Sequence, residues 1–302
     1  MSSPLLTGAA EPTVFAPLLT PFQGPDLEVD LDWMSRHLDF LRERGVDGVL
    51  PLGTNGEFPS LSYRERCAIL DHVALEKGSL LTIAGGASPS IQETVAIGRR
   101  AAERGFDAFL VPPPYYFKGV DDEEVAAAFR YVLDRVEIPV LLYDFPKQCI
   151  IEVSEGVLDR LRGHERLRGI KLSLADPEIV RQRCERYPEL AMFVGNDHLL
   201  AGGLRDGAAG GITALANWVP QVHRRLLAAH ASGADTGDAQ AELSRWRSVF
   251  EAHPMQGALK YALHTAGLPA RHVRPPLRDL TETEKVSLAA ELKELGHSTS
   301  MS

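Results

Sequence analysis

The hexapeptide ERGVDG, residues 43–48, returns as ERGFDA at 103–108, and LRDGAAGG at 204–211 is a looser copy. In each copy a helix-like segment ends at glycine, a short turn follows and an apolar strand begins. The first two copies lie 60 residues apart, which suits two strand–helix units. Short apolar runs alternate with amphipathic stretches on either side. Expected strands are Val14–Leu19, Gly48–Leu52, Leu80–Ala84, Ala108–Val111, Val140–Tyr143, Gly169–Lys171, Ala191–Val194 and Gly211–Ala214. Expected helices include Asp30–Arg44, Ser62–Lys77, Ile91–Arg104 and Asp122–Arg135, with Ser62, Ser88-Pro89 and Asp121–Asp122 as starts.

Eight such alternations predict an α/β fold, a (β/α)8 TIM barrel with its catalytic site, over residues 1–217. A doubly wound open sheet is the alternative. It would normally carry a glycine fingerprint after its first strand, and LLTPFQGPD is not one. Beyond Asn217 the strand pattern stops. Val219–Ala231, Ala239–His253, Gly257–Ala266 and Thr283–Leu295 read as helices of a C-terminal helical extension, 218–302, packed on the barrel.

Composition sets outer limits. The chain has 302 residues, 44% hydrophobic and 24% charged, an ordinary globular balance. A formal net charge of −9 argues against nucleic acid or an anionic membrane as partner. Cys67, Cys149 and Cys184 lie far apart and fit neither a zinc pattern nor a redox pair, as expected of reduced thiols in a cytoplasmic protein. The first 22 residues lack the basic end of a signal peptide, and no apolar run approaches the ~20 residues that span a bilayer.

The stretch RGIKLSL, 168–174, places a lysine inside an apolar strand. On a barrel the C-terminal ends of the strands point into the active-site mouth. Lys171 falls at such an end, as do PLGTNGE (51–57), LLYDFPK (141–147) and FVGND (193–197). Singly, each has a plain reading: a rim lysine, a packed tyrosine, a glycine turn, a helix cap. Their convergence points to Schiff-base chemistry. A lysine attacks a ketone only when neutral, and an apolar barrel interior lowers its pKa. Tyr143, on the neighbouring strand, is placed to carry protons. The Gly53–Gly56 loop, GTNG, offers a hydroxyl, an amide and backbone N–H groups to a substrate carboxylate.

The sequence resembles the pyruvate-dependent class I aldolase family that includes dihydrodipicolinate synthase and N-acetylneuraminate lyase. The motifs that carry this are GTNGEFPSLS, PPPYYF, LLYDFPK, GIKLS, GGITALAN and RPPLRDLT, across nearly the whole chain. The resemblance implies Lys171 as the imine-forming lysine, Tyr143 as proton shuttle and Thr54 as the hydroxyl bonded to it. Asn55 stands where a carboxylate-binding threonine is frequent, the Ile212 carbonyl would face the site, and Tyr116 would reach across a dimer interface. Gln148, after Lys147, stands where the synthases carry an arginine, and a guanidinium is not replaced conservatively. Ala214 replaces a sugar-contacting serine of the lyases, and Asp144 a turn asparagine. Closer motif matches point to 2-keto-3-deoxy sugar acid and 4-hydroxy-2-oxoglutarate aldolases, with Ser173, Asn196 and Asp197 as hydroxyl contacts. Asp197 could equally cap a helix.

The expected activity is cleavage or formation of a 4-hydroxy-2-oxo acid, with pyruvate and an aldehyde as partners in a homo-oligomer, dimer or tetramer. Neither a metal nor a cofactor is expected; His223 and His230, seven apart on one helix, carry no ligand pattern. Three alternatives stay open: a dihydrodipicolinate synthase, a dehydratase using the same imine, and a non-catalytic binding protein.

Overall fold

In the computed structural model, which describes residues 11–296, eight parallel strands close into a barrel. The first ten residues, where the expectation about a signal peptide partly rests, lie outside the described residues. The chain runs through β1 (Thr13–Ala16), the hairpin β2 (Phe22–Gln23) and β3 (Glu28–Val29), α1 (Leu31–Glu43), β4 (Gly48–Val49) and α2 (Tyr63–Glu76). It continues with β5 (Leu81–Gly85), α3 (Ile91–Glu103), β6 (Ala108–Val111), α4 (Asp122–Leu133) and β7 (Val140–Asp144). Then come α5 (Pro146–Cys149), α6 (Glu155–Leu161), β8 (Leu167–Leu172), α7 (Pro177–Arg186), β9 (Ala191–Val194), α8 (Leu200–Arg205) and β10 (Gly210–Ile212). β1 pairs with both β4 and β10, which closes the ring. The hairpin lies outside it.

The repeated hexapeptide has a structural cause. Gly45, Gly105 and Gly207 all take positive φ (76°, 71° and 99°), the left-handed turn that ends a helix. After each, the next N–H reaches back into the last helical turn: Val46 to the Leu41 carbonyl at 3.2 Å, Phe106 to Ala101 at 3.0 Å, Ala208 to Gly203 at 2.8 Å. The repeated aspartate ties the new strand to its neighbour. Asp47 accepts from Val14 N–H at 2.8 Å, and Asp107 from Thr82 N–H at 2.8 Å. Helix starts are equally local in origin: Ser62 and Asp121 form capping boxes with Glu65 and Glu124. Ser90, rather than Ser88, caps α3.

Strand alternation divides the core in two. Phe15, Leu50, Ile83, Leu110, Leu141, Phe193 and Ile212 fill the barrel interior. Their strand neighbours, including Val14, Val49, Leu142, Ile170 and Val194, pack outward under the helices. After β10, α9 (Pro220–Ala231) packs on α8 and β1. Then α10 (Gly237–Glu251), α11 (Met255–Thr265) and α12 (Glu282–Glu294) pack on one another, with Leu243, Trp246, Phe250, Leu259, Leu263 and Leu288 buried among them. Among the described residues, no helix is long and apolar enough to cross a membrane.

Candidate active site

Lys171 and Tyr143 are register partners on the adjacent parallel strands β8 and β7. Gly169 and Leu141 precede them by two residues, so all four point into the barrel. Gly169 is required by packing: a Cβ there would lie 2.4 Å from the Ala191 carbonyl oxygen. The Lys171 amine sits 4.5 Å from the centre of the Tyr143 ring. A cavity of about 290 Å³ opens above them, lined also by Thr54, Asn55, Ser173, Asn196 and Ile212. The positions expected at separate strand ends therefore meet in one place. Gly53 lines a second, more apolar chamber that shares Thr54, Tyr143, Phe145 and Gln148 with the first.

Burial governs the electrostatics. Lys171 is 5% exposed, and loss of hydration lowers its pKa to about 7, with the negative charge of Asp197 opposing the fall. The amine is thus neutral in an appreciable fraction of molecules near neutral pH. Burial pushes the Tyr143 phenol up to about 12, against hydrogen bonds from Ser173 and Thr54 that favour the phenolate. Tyr143 therefore holds its proton at neutral pH. Ser173 Oγ donates to Tyr143 Oη at 3.4 Å, and Thr54 Oγ1 lies 3.4 Å from the same oxygen. These are long contacts, of the kind that tighten when a substrate draws the proton.

The loop after β4 owes its shape to backbone conformation. Leu52 and Glu57 both take positive φ, and the Glu57 N–H returns to the Thr54 carbonyl at 3.1 Å. The turn leaves Thr54 and Asn55 half-buried and facing the cavity. After β7, Pro146 opens the one-turn α5, which sets Lys147 and Gln148 at the rim.

One expected contact lies elsewhere. Asp197 is fully buried behind the cavity and its carboxylate is occupied: Oδ1 lies 2.9 Å from His223 Nε2, and Arg247 Nη1 donates to Oδ2 at 3.0 Å. Hydrogen bonds and charge from His223, together with the charge of Arg247, hold its pKa down at about 2 although burial alone would raise it. It does not line the cavity and is not the cap; Asn196 lines the cavity and accepts from the His198 N–H at 3.1 Å. Tyr116 is 72% exposed, packed edge-on against Phe117, and lines an outer groove. Tyr115 is the residue of PPPYYF that reaches the chamber beside Thr54.

The extension also contributes. Arg247 and Glu251 of α10, and Met255 and Gln256 of α11, form part of the cavity wall. Arg247 donates to Glu251 at 2.7 Å, one turn on. That spacing resembles an ordinary solvated helix pair in sequence, and nothing in the local pattern marked it otherwise.

The model of the dihydrodipicolinate synthetase family matches residues 11–295. An uncharacterized DapA-like lyase of Chloroflexus aurantiacus is 37% identical over 93% of this chain and 96% of its own. The 4-hydroxy-tetrahydrodipicolinate synthase of Chlorobaculum parvum is 31% identical over 98% and 99%. YagE, a prophage protein of that synthase family from E. coli K12 solved in complex with pyruvate, superposes with a TM-score of 0.89 at 27% identity, covering 94% and 98%. The chain belongs to the dihydrodipicolinate synthetase family, a family of lyases.

Proposed function

We propose that this member of the family is a Schiff-base aldolase that cleaves or forms a 4-hydroxy-2-oxo acid, such as a 2-keto-3-deoxy sugar acid or 4-hydroxy-2-oxoglutarate, with pyruvate as one partner. The observation that carries the reading is a buried amine beside a phenol on the paired strand, with burial lowering the amine to about 7 and pushing the phenol up to about 12. Neutral Lys171 attacks C2 of the 2-oxo acid. Tyr143, relayed through Thr54, supplies the proton with which the C2 oxygen leaves as water. The iminium then accepts the C3–C4 bonding pair as the proton of the C4 hydroxyl is removed by the same relay. An aldehyde departs; the enamine of pyruvate is protonated at C3, and water releases the keto acid and the amine. The iminium is itself the electron sink, so the cycle calls for no metal or cofactor.

Asn55 and the N–H groups of its loop are assigned to the pyruvyl carboxylate, with the Ile212 carbonyl and Ser173 as further contacts. Gln148 at the rim offers an amide where the synthases are expected to use a guanidinium, which favours a hydroxylated aldehyde over the synthase reaction. The synthase reading is kept as the second one because several relatives bear that name. A homo-oligomer in the cytoplasm is part of the proposal; exposed Tyr116 and Phe117 would serve as its contact surface.

The test is incubation with pyruvate and a borohydride, followed by peptide mapping. An adduct on Lys171 that is absent in Lys171→Ala supports the reading, and a slowing of several orders of magnitude in Tyr143→Phe supports the proton relay. Lack of any adduct on Lys171 refutes it. Products from a panel of 2-oxo-3-deoxy acids then separate aldolase from dehydratase, since a dehydratase leaves the carbon chain whole.

A further inference from the structure

The loop that carries Thr54 is held from outside the barrel. Glu57, three residues on, sits in the left-handed region at φ 55°, a conformation that costs a non-glycine residue roughly 1–2 kcal/mol and persists only where surroundings enforce it. Glu57 is 2% exposed, and both its oxygens are engaged. Lys260 of α11 donates to Oε1 at 2.6 Å, and the Arg274 backbone N–H donates to Oε2 at 2.9 Å. Lys260, itself 2% exposed, also donates to the His272 carbonyl at 2.6 Å. Its ammonium lies 4.6 Å from the centre of the Phe22 ring, with the Arg274 guanidinium 4.3 Å from that same ring centre. Two neighbouring bonds support the arrangement: Gln256, one turn earlier on α11, donates to the Thr54 carbonyl at 3.4 Å, and Thr20 Oγ1 donates to the Gly56 carbonyl at 2.7 Å.

A buried ion pair is a poor source of net stability, because desolvation offsets much of the attraction, and an apolar pair of similar size would dock α11 equally well. What the charged pair adds is direction. A carboxylate with one oxygen on Lys260 and the other on a backbone N–H fixes the orientation of Glu57, and so of the short turn back to Thr54. We propose that Lys260 is a positioning residue for Thr54, acting through its buried pair with Glu57 so that the C-terminal extension sets the hydroxyl against Tyr143. This rests on the aldolase reading, in which Thr54 relays protons.

The experiment is a coupling measurement on the full-length chain. Lys260→Met is made alone and, to avoid stranding a buried carboxylate, together with Glu57→Gln; Lys260→Arg keeps the charge but changes its geometry. Each is combined with Thr54→Val, folding is checked by thermal melting, and turnover and pyruvate KM are measured beside adduct formation on Lys171. The paired replacement lowers kcat by about 10- to 100-fold, as expected of a displaced catalytic group, with KM changed less than about twofold. In the Thr54→Val background the same replacement changes kcat less than about twofold, because the group it positions is gone. Equal fold-losses in both backgrounds, or an undiminished kcat in the paired replacement and in Lys260→Arg, overturn the positioning role while the adduct still forms. Failure of the unmutated chain to form the adduct overturns the aldolase reading, and this inference with it.

Discussion

The pH dependence of imine formation tests the electrostatics of Lys171 directly. An amine with a pKa of about 7 is about one-tenth neutral at pH 6, half neutral at pH 7 and nine-tenths neutral at pH 8. An unperturbed lysine, at about 10.4, is neutral in only about one molecule in 2,500 at pH 7. The second-order rate constant for pyruvate, measured by quenched single turnover well below saturation, reports the ionisation of the free enzyme. It is expected to rise about fivefold from pH 6 to 7, less than about twofold from pH 7 to 8, and hardly further. A tenfold rise for every unit up to pH 9 would show an amine as hydrated as one on the surface. The barrel interior would then not be what activates it, and the mechanism would lose its basis.

Two further outcomes follow from the same burial. Lys171→Met should stabilise the protein by up to about 4 kcal/mol at pH 7, since burial takes the folded lysine from its ordinary value of 10.5 down to about 7. The advantage should be full below pH 7 and shrink as pH rises from about 7 to 10.5; denaturant melts at pH 7 and pH 10 measure it, and equal stability at both pH values counts against it. Asp144→Asn should stabilise as well. Burial raises the Asp144 carboxyl to about 6, and its Oδ2 has no partner among the described residues while Oδ1 accepts from the Val153 N–H. The folded protein holds that proton between about pH 4 and 6 where the unfolded chain has lost it, so stability falls as pH rises through this window. Above pH 6 the asparagine variant should be more stable by up to about 3 kcal/mol, a gap that vanishes near pH 4.

Much of the site was readable because strand geometry has a period of two. Once Leu141 and Gly169 are taken as inward, Tyr143 and Lys171 must be inward as well, and neighbouring strands bring them together. The turns were readable because Gly45 and Gly105 sit where a helix must end with positive φ. The cavity's far wall was not, because Arg247 and Gln256 lie on helices whose pattern speaks only of packing and solvent. Asp197 was misread for a related reason. Its partners His223 and Arg247 are 26 and 50 residues away, and only the fold shows that they have already claimed its oxygens. The β2–β3 hairpin, with two residues in each strand, is too short to leave a periodic trace.

The pairing of Tyr143 with Lys171 has an evolutionary corollary. Their spacing is set by the backbone ladder between β7 and β8, whereas the walls that would meet the aldehyde come from loops and from α10 and α11. The lysine–tyrosine pair and most of the surface that would meet the aldehyde are thus carried by different parts of the chain. On the proposed mechanism, substitutions around the rim would retune which electrophile is accepted and leave the carbon–nitrogen bond to Lys171 in place.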